Sequence, residues 1–426
     1  MRWVTGILAV VLGVPAAAQQ APQQLEVTLK EAIQRALQVQ PAMVQAQGRQ
    51  RTAGAGRQVA WGSFLPNVSV SGFATKNSKQ RFDQNSQRLI PPVQNYGSGL
   101  SANVDLFTGL RRLANLRSAS ATLDAEEAGV VTQRFQVQLD TKRFFYNALA
   151  TEELVRVAQS QVRRAQQQLQ ISVEKLRAGS ATRSDSLRST VDYGTARINL
   201  LEAQANLAGA QADLGRQVGV DQPVRAVPDS ALPPLPDTTA FRGAALESAP
   251  QVQRADAQAR AARADVWSAR SQYIPTLNLS LGSSRGDTLF NNALVANEVH
   301  NWRVSLTWIL FDRFSREQLQ VSASVSRDNA VAAAADTRRL VNADLTKQIA
   351  ALATAYEKID IARANVAAAT EDLRVQNERY RVGAATILDL LTSQASLTQA
   401  EQNFVQVRFD YLIARAQLEA LVGHEL

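Results

Sequence analysis

The segment "ERYRVGAATILDLL", residues 378–391, has a twin in "EKLRAGSATRSDSL", residues 174–187. The two align without a gap at a constant offset of 204, pairing Gly179 with Gly383, Thr182 with Thr386 and Asp185 with Asp389. Glycine takes readily to the left-handed backbone that ends a helix. A threonine followed three residues later by an acid is a capping box, which starts the next helix. The carboxylate also suits the positive end of that helix's dipole. Each segment therefore reads as a sharp helix–turn–helix tip, and the chain carries two.

The copying extends upstream. "SFLPNVSVSGF" at 63–73 resembles "QYIPTLNLSLG" at 272–282, and "LQVQP" at 37–41 matches "LESAP" at 246–250, both at offset 209. "DLFTGLRR" at 105–112 matches "ILFDRFSR" at 309–316 at offset 204, so the first copy holds five more residues between Pro66 and Phe107. The halves meet at "GVDQPVRAVPDSALPPLPD", 219–237, whose five prolines cannot continue a helix. The division is a signal peptide at 1–18, repeat 1 at 19–218, a Pro-rich equatorial linker at 219–239 and repeat 2 at 240–426. Each repeat predicts helix, β-hairpin, long helix, turn, helix. The first has a hairpin at 66–107, a long helix at 109–177 and a helix at 182–218; the second has 275–311, 313–381 and 386–422. Repeat 1 opens on a further capping box, Thr28 with Glu31, and Pro41 suits the first position of a new helix, so the opening segment breaks there.

Inside the hairpins the period is two. Val68, Val70 and Gly72, then Leu100, Ala102, Val104 and Leu106, then Leu277, Leu279 and Leu281 alternate with polar residues, over strand patterns of about 8–12 residues. Trp302, Val304, Leu306, Trp308 and Leu310 form the last apolar row, the candidate membrane-facing residues. Such a dyad suits a transmembrane strand with lipid on one face, and equally a half-buried sheet in a soluble sandwich. Two polar stretches, "KNSKQRFDQNSQRLIPPVQN" and "SSRGDTLFNNALVANE", read as long irregular external loops and favour the membrane. Trp302 and Trp308 add weak support as interface anchors.

The long helices lack proline and would reach about 100 Å at 1.5 Å per residue. Val155, Ala158, Val162, Ala165, Leu169, Ser172 and Leu176 make an alternating 3–4 seam, matched by Ile359, Ala362, Val366, Ala369, Leu373, Gln376 and Tyr380. The returning helix shows two apolar rows: Leu187, Val191, Ile198 and Leu201, and Leu200, Leu207 and Leu214. Two rows call for neighbours on two sides. Two short helices end to end match one long one, which brings the linker and both termini near the middle. Four strands cannot close a membrane barrel, and open edges are not tolerated in lipid, so the chain must oligomerise.

Composition agrees with export. The chain has 426 residues and opens "MRWVTGILAVVLGVPAAAQQ", with Arg2, a short apolar core and a small-residue cleavage site. It has no cysteine, which excludes a disulfide framework and thiolate metal sites, and only two distant histidines, His300 and His424. The charge of +8 could suit nucleic acid, but an exported chain does not meet it; pairs such as Arg163-Arg164 read as solvated helix faces. No nucleophile–base set, phosphate loop or metal cluster appears, so neither enzyme nor cofactor is expected.

The doubled unit, "FLP" and "YIP" before strands, "LF" after them, and the Gly-x-x-Thr-x-x-Asp turns resemble the TolC family of outer-membrane efflux proteins over nearly the whole mature chain. The resemblance implies a homotrimer: a 12-stranded outer-membrane β-barrel continued by a 12-helix periplasmic α-barrel, with two tandem repeats per chain. It further implies a passive exit duct, set in outer-membrane lipid and docked to an inner-membrane pump through a periplasmic adaptor. Asp389 then matches an acidic residue of the periplasmic gate, the family's second acidic ring falls on Thr392, and Tyr380 matches a latch residue. Tyr380 also continues the heptad seam. Arg177, Gly179, Ser180, Thr182, Arg381, Gly383, Ala384 and Thr386 would form the adaptor-docking tips. The rival readings are an exported soluble coiled-coil scaffold of the periplasm and a stand-alone porin, which would not need such long helices.

Overall fold

The computed structural model describes residues 25–76, 81–83, 87–90, 94–228, 232–236, 248–290 and 293–426. The proposed signal peptide, 1–18, lies outside them, as does part of the linker.

Two 67-residue helices, α3 (Arg111–Arg177) and α6 (Ser315–Arg381), run the length of the wall. Four shorter helices stack beside them in pairs: α2 (Pro41–Gly62) over α4 (Arg183–Val218), and α5 (Pro250–Arg270) over α7 (Ile387–Val422). The upper order is α2–α3–α5–α6 and the lower is α4–α3–α7–α6. Both α5 and α7 thus have a long helix on each side, whereas α2 and α4 lie at an edge.

Local chemistry explains the ends. Pro41 opens α2 after the short α1 (Leu29–Val39), and α1 starts on the capping box in which Thr28 and Glu31 bond reciprocally. In the seam of α3, Val155, Ala158, Ala165 and Ser172 are buried; in α6, Ile359, Ala362, Leu373 and Tyr380 are. Small residues there let the partner helices approach closely. On α4, Leu214 is buried, but Leu187, Val191, Ile198 and Leu201 are exposed.

Midway down α3, the strands β1 (Leu25–Val27) and β6 (Val224–Ala226) pair in parallel and cover Phe145 and Leu149. Arg225 bonds Glu26 (3.0 Å) and Glu152 (2.8 Å). The Tyr411 hydroxyl donates to the Pro233 carbonyl (2.9 Å), which ties the linker to α7 at the same level. Between α3 and α7, Arg164 grips Glu401 with two hydrogen bonds (3.0 and 3.3 Å), Arg408 pairs with Glu153 (3.1 Å) and Lys142 pairs with Glu419.

Above the helices stands a four-stranded antiparallel sheet in the order β2 (Asn67–Lys76), β5 (Gln94–Phe107), β7 (Thr276–Phe290), β8 (Ala293–Thr307). Three expectations change here. The stretch read as an external loop at 283–298 lies largely within β7 and β8, because ladder hydrogen bonds continue where the apolar alternation stops. The strands of 14 and 15 residues accordingly outrun the expected length. β8 ends at Thr307, so Trp308 and Leu310 lie beyond it, exposed at the end nearest the helices. Within the first expected loop, β3 (Arg81–Asp83) pairs with β4 (Arg88–Ile90); the rest of 77–93, apart from Gln87, lies outside the described residues.

Candidate functional site

Three parts of the chain carry its chemistry: the sheet face, the sheet-to-helix turn and the tips. Across the sheet, directly paired residues project to the same side. One register row reads Val68, Ala102, Leu281, Trp302, and the next toward the helices reads Val104, Leu279, Val304. A register shift between Asp105 and Phe107 displaces Leu106 from the apolar row and sets Phe107 opposite Leu277 and its partner Leu306. The opposite face is polar: Asn67, Asn103, Ser280 and Arg303 make one row, and Ser69, Ser101, Gly282 and Asn301 the next. Ser69 and Ser101 hydroxyls meet at 2.7 Å, and Asn278 donates to Asp105 at 2.9 Å. The apolar face is exposed, with Val70 at 81% and Trp302 at 74%. Both edge strands, β2 and β8, have one unpaired side.

The sheet-to-helix turn holds a pair of residues that sequence reading passed over. Arg112 donates to the carbonyls of Ser63 (3.1 Å) and Leu106 (3.3 Å) and lies 4.9 Å from the Phe64 ring. Arg316, its counterpart at offset 204, donates to Ile309 (2.9 Å) and Leu310 (3.1 Å) and lies 4.7 Å from the Tyr273 ring. Each arginine therefore clamps loose strand-end carbonyls to the first turn of a long helix. The backbone repeats too: Gly109 and Leu110 have φ +60° and +69°, and Arg313 and Phe314 have +61° and +65°. The signal available in sequence was the match between repeats of the arginine, at offset 204, and of the aromatic ring that it covers, at offset 209.

The tips are near copies. Gly179 and Gly383 take φ +73° and +82°, and each closes a Schellman turn, with Ser180 N–H to Lys175 (2.8 Å) and Ala384 N–H to Arg379 (2.8 Å). Thr182 and Asp185 bond reciprocally (3.0 and 3.2 Å), as do Thr386 and Asp389 (2.9 and 3.2 Å). Arg177, Gly179, Ser180, Thr182, Arg381, Gly383, Ala384 and Thr386 are all exposed, and nothing lies within 4 Å of a Cβ built on either glycine. Hydrogen bonds from the Thr386 N–H and then its hydroxyl hold Asp389 below the usual carboxylate range. Thr392, one turn on, is uncharged and returns its hydroxyl to Leu388 (2.8 Å).

Tyr380 sits in a buried cluster with Leu373, Ile387, Leu390 and Leu397. Lys175, from the other hairpin, lies 4.0 Å from its ring centroid and donates to its carbonyl (2.6 Å). The structure therefore brings the two tips together through Lys175 and Tyr380. The cores of the hairpins differ. Hairpin 1 has a polar row inside, with Gln168 bonded to Ser172 (3.0 Å) and Ser172 to Ser189 (2.8 Å), whereas hairpin 2 packs an apolar cluster beside a Ser393–Asp372 hydrogen bond (2.5 Å). Among the described residues no cluster suits a metal ion.

A sheet with an apolar band on one face and polar residues on the other, open at both edges and carried on a wall of long helices with capped tips, is the architecture of a membrane channel protein of mixed α and β structure. The chain belongs to the outer membrane efflux protein family, whose profile matches residues 32–220 and 242–424, one copy per repeat. It is 28% identical to the pyoverdine export outer membrane protein OpmQ of Pseudomonas aeruginosa, across 93% of this chain and 83% of that one. It is 27% identical to protein CyaE of Bordetella pertussis, across 89% and 80%. The crystal structure of the outer membrane protein VceC from Vibrio cholerae superposes with a TM-score of 0.79 at 18% identity, covering 93% of this chain and 96% of that one. The TolC-type resemblance read from the repeats is thereby shown. The protein is an outer-membrane efflux component that extends into the periplasm, and the soluble scaffold reading is set aside.

Proposed function

We propose that three copies close their sheets into a 12-stranded barrel and their helical walls into a 12-helix tunnel, forming a passive exit duct. One observation carries this reading: the sheet exposes an apolar band, from the Leu277–Leu306 pair to the Val68–Trp302 row, yet leaves β2 and β8 unpaired, a combination that lipid does not tolerate. Joining β8 of one copy to β2 of the next removes every edge. The uncovered stripe of α4, Leu187 to Leu201, then meets the free side of α6 in the neighbouring copy. Trp302, Val304 and Leu306 face lipid, and Trp308 and Leu310 mark its periplasmic boundary.

The two tips of each copy form the lower mouth. Their exposed small residues receive the helices of a periplasmic adaptor, which couples the duct to an inner-membrane pump. Asp389 supplies the charge of the gate, Thr392 leaves a second ring neutral, and the Lys175–Tyr380 contact holds the hairpins together in the closed mouth. Energy comes from the partners, and the duct itself does no chemistry.

Because the chain has no cysteine, engineered pairs give a clean test. Ser69→Cys on β2 is combined in turn with Asn301→Cys, Arg303→Cys and Ser305→Cys on β8. Oxidation in outer-membrane vesicles should give covalent dimers and trimers for at least one pair, and nothing larger. Monomers from every pair, or a ladder beyond three, would overturn the trimeric barrel.

A further inference from the structure

A cavity of about 170 Å³ lies where the sheet meets the helices, between the start of α3 and the turns flanking β7 and β8. We propose that it is a binding site for a phosphate-type oxyanion. Its lining offers the Arg111 guanidinium, the Gln272 amide and the hydroxyls of Thr108 and Thr307, while Arg316 and the Thr276 hydroxyl already donate to backbone carbonyls. No carboxylate lines it. Asp312 pairs with the lining Arg316 (3.4 Å) and Glu317 with Tyr273, so both acids of this turn stand beside the cavity and not in its wall.

The two arginines have different parts. Arg316 is buried at 8% exposure, tied to Ile309 and Leu310 and matched by Asp312, so it mainly fixes the cavity wall. Arg111 is exposed; its backbone N–H bonds the Thr108 carbonyl (3.1 Å), while its guanidinium lines the same cavity and forms no hydrogen bond or ion pair among the described residues. That guanidinium offers a planar set of donors, the geometry that suits phosphate, sulfate or a carboxylate. An oxyanion in this space accepts from several of these donors at once and pairs with Arg111.

Thr276 and Thr307 pair across β7 and β8 on the polar face of the sheet, one step from the apolar pair Leu277 and Leu306. The cavity thus borders the face assigned to the conducting path. That placement rests on the barrel reading, but binding does not, so the two can fail separately. Charged side chains are sparse on that face: among the described residues of the strands, only Asp105 and Arg303. Three copies would set three anion sites at one level, where phosphate or carboxylate groups of cargo pause on the way out. The same chemistry could instead hold the phosphate of a lipid headgroup.

The test uses full-length protein in detergent, with thermal unfolding followed against inorganic phosphate at constant ionic strength set by chloride. The wild type should show a saturable rise in Tm. Arg111→Gln, and separately Thr307→Val, should move the half-saturating phosphate concentration up, by at least about tenfold for the arginine. A second arm counts phosphorylated lipid that co-purifies and survives delipidation. Retention by the wild type and loss in Arg111→Gln assigns the site to a headgroup; a phosphate response without retained lipid assigns it to a free anion. Equal phosphate response and equal lipid content in wild type and Arg111→Gln would overturn the proposal.

Discussion

Asp389 caps a helix and, in the proposed duct, also carries the charge of the gate. Its Oδ2 accepts from the Thr386 N–H and hydroxyl (2.9 and 2.7 Å), which starts α7 and holds the acid below its usual range. A depressed folded pKa means that the cap's contribution is present above the ordinary carboxylate value. It is lost only as the pH falls through the lower, folded one. The exchange protection factor of the 383–390 tip, corrected for the intrinsic pH dependence of amide exchange, should thus stay constant across periplasmic pH and fall only in acid. Gate and cap are separable by substitution. Asp389→Asn removes charge while keeping an oxygen for the cap, and should raise the divalent-cation concentration for half-block of single channels by at least about threefold. Asp185→Asn, the same change in the other tip, should leave block unchanged. Equal effects of the two would remove Asp389 from the gate. The caps themselves were legible in sequence, since Thr-x-x-Asp names both partners. Tyr380 was not: a heptad position and a latch position coincide there, and only the structure shows the ring buried with Lys175 against it.

At the scale of elements, the strand-to-helix turns carry strain. Left-handed φ costs a residue with a Cβ about 1 kcal/mol or more, yet Leu110, Arg313 and Phe314 adopt it. The first repeat spends a glycine at Gly109, and the second has Arg313 in its place. Arg313→Gly should therefore stabilise the protein by about 1 kcal/mol, read as a higher unfolding temperature in detergent. A lower temperature would show that the Arg313 side chain itself is needed. The helices were easy to read because proline-free runs, caps and seams leave dense local signals. Strand ends were harder. The ladder of β7 and β8 runs on through polar residues that look like loop, and a single bulge at Leu106 moves a side chain that alternation alone would count as apolar. The arginine clamps escaped notice because their acceptors are backbone carbonyls, which leave no mark in a sequence.

For the whole molecule, the duplication is symmetric in design and asymmetric in burial. The two returning helices each carry two apolar rows, but α7 is covered on both sides within the chain and α4 on only one. Ile198 and Leu201 are 57% and 64% exposed, so charge there should spare the monomer and harm assembly. The double variant Ile198→Glu, Leu201→Glu should run as a folded monomer in detergent by light scattering, with helix content intact. A stable trimer would show that α4 is not at the subunit boundary. Membrane insertion and oligomer number exceed what one chain's pattern encodes, since they depend on faces that only other copies and lipid complete.

The unbroken length of α3 and α6 has a mechanical corollary. A proline-free rod of about 100 Å works as a lever: turning its upper end by about 1° swings its foot by about 1.7 Å. Small rotations at the upper end, where Arg112 and Arg316 fasten the rods, thus become ångström-scale displacements at the foot.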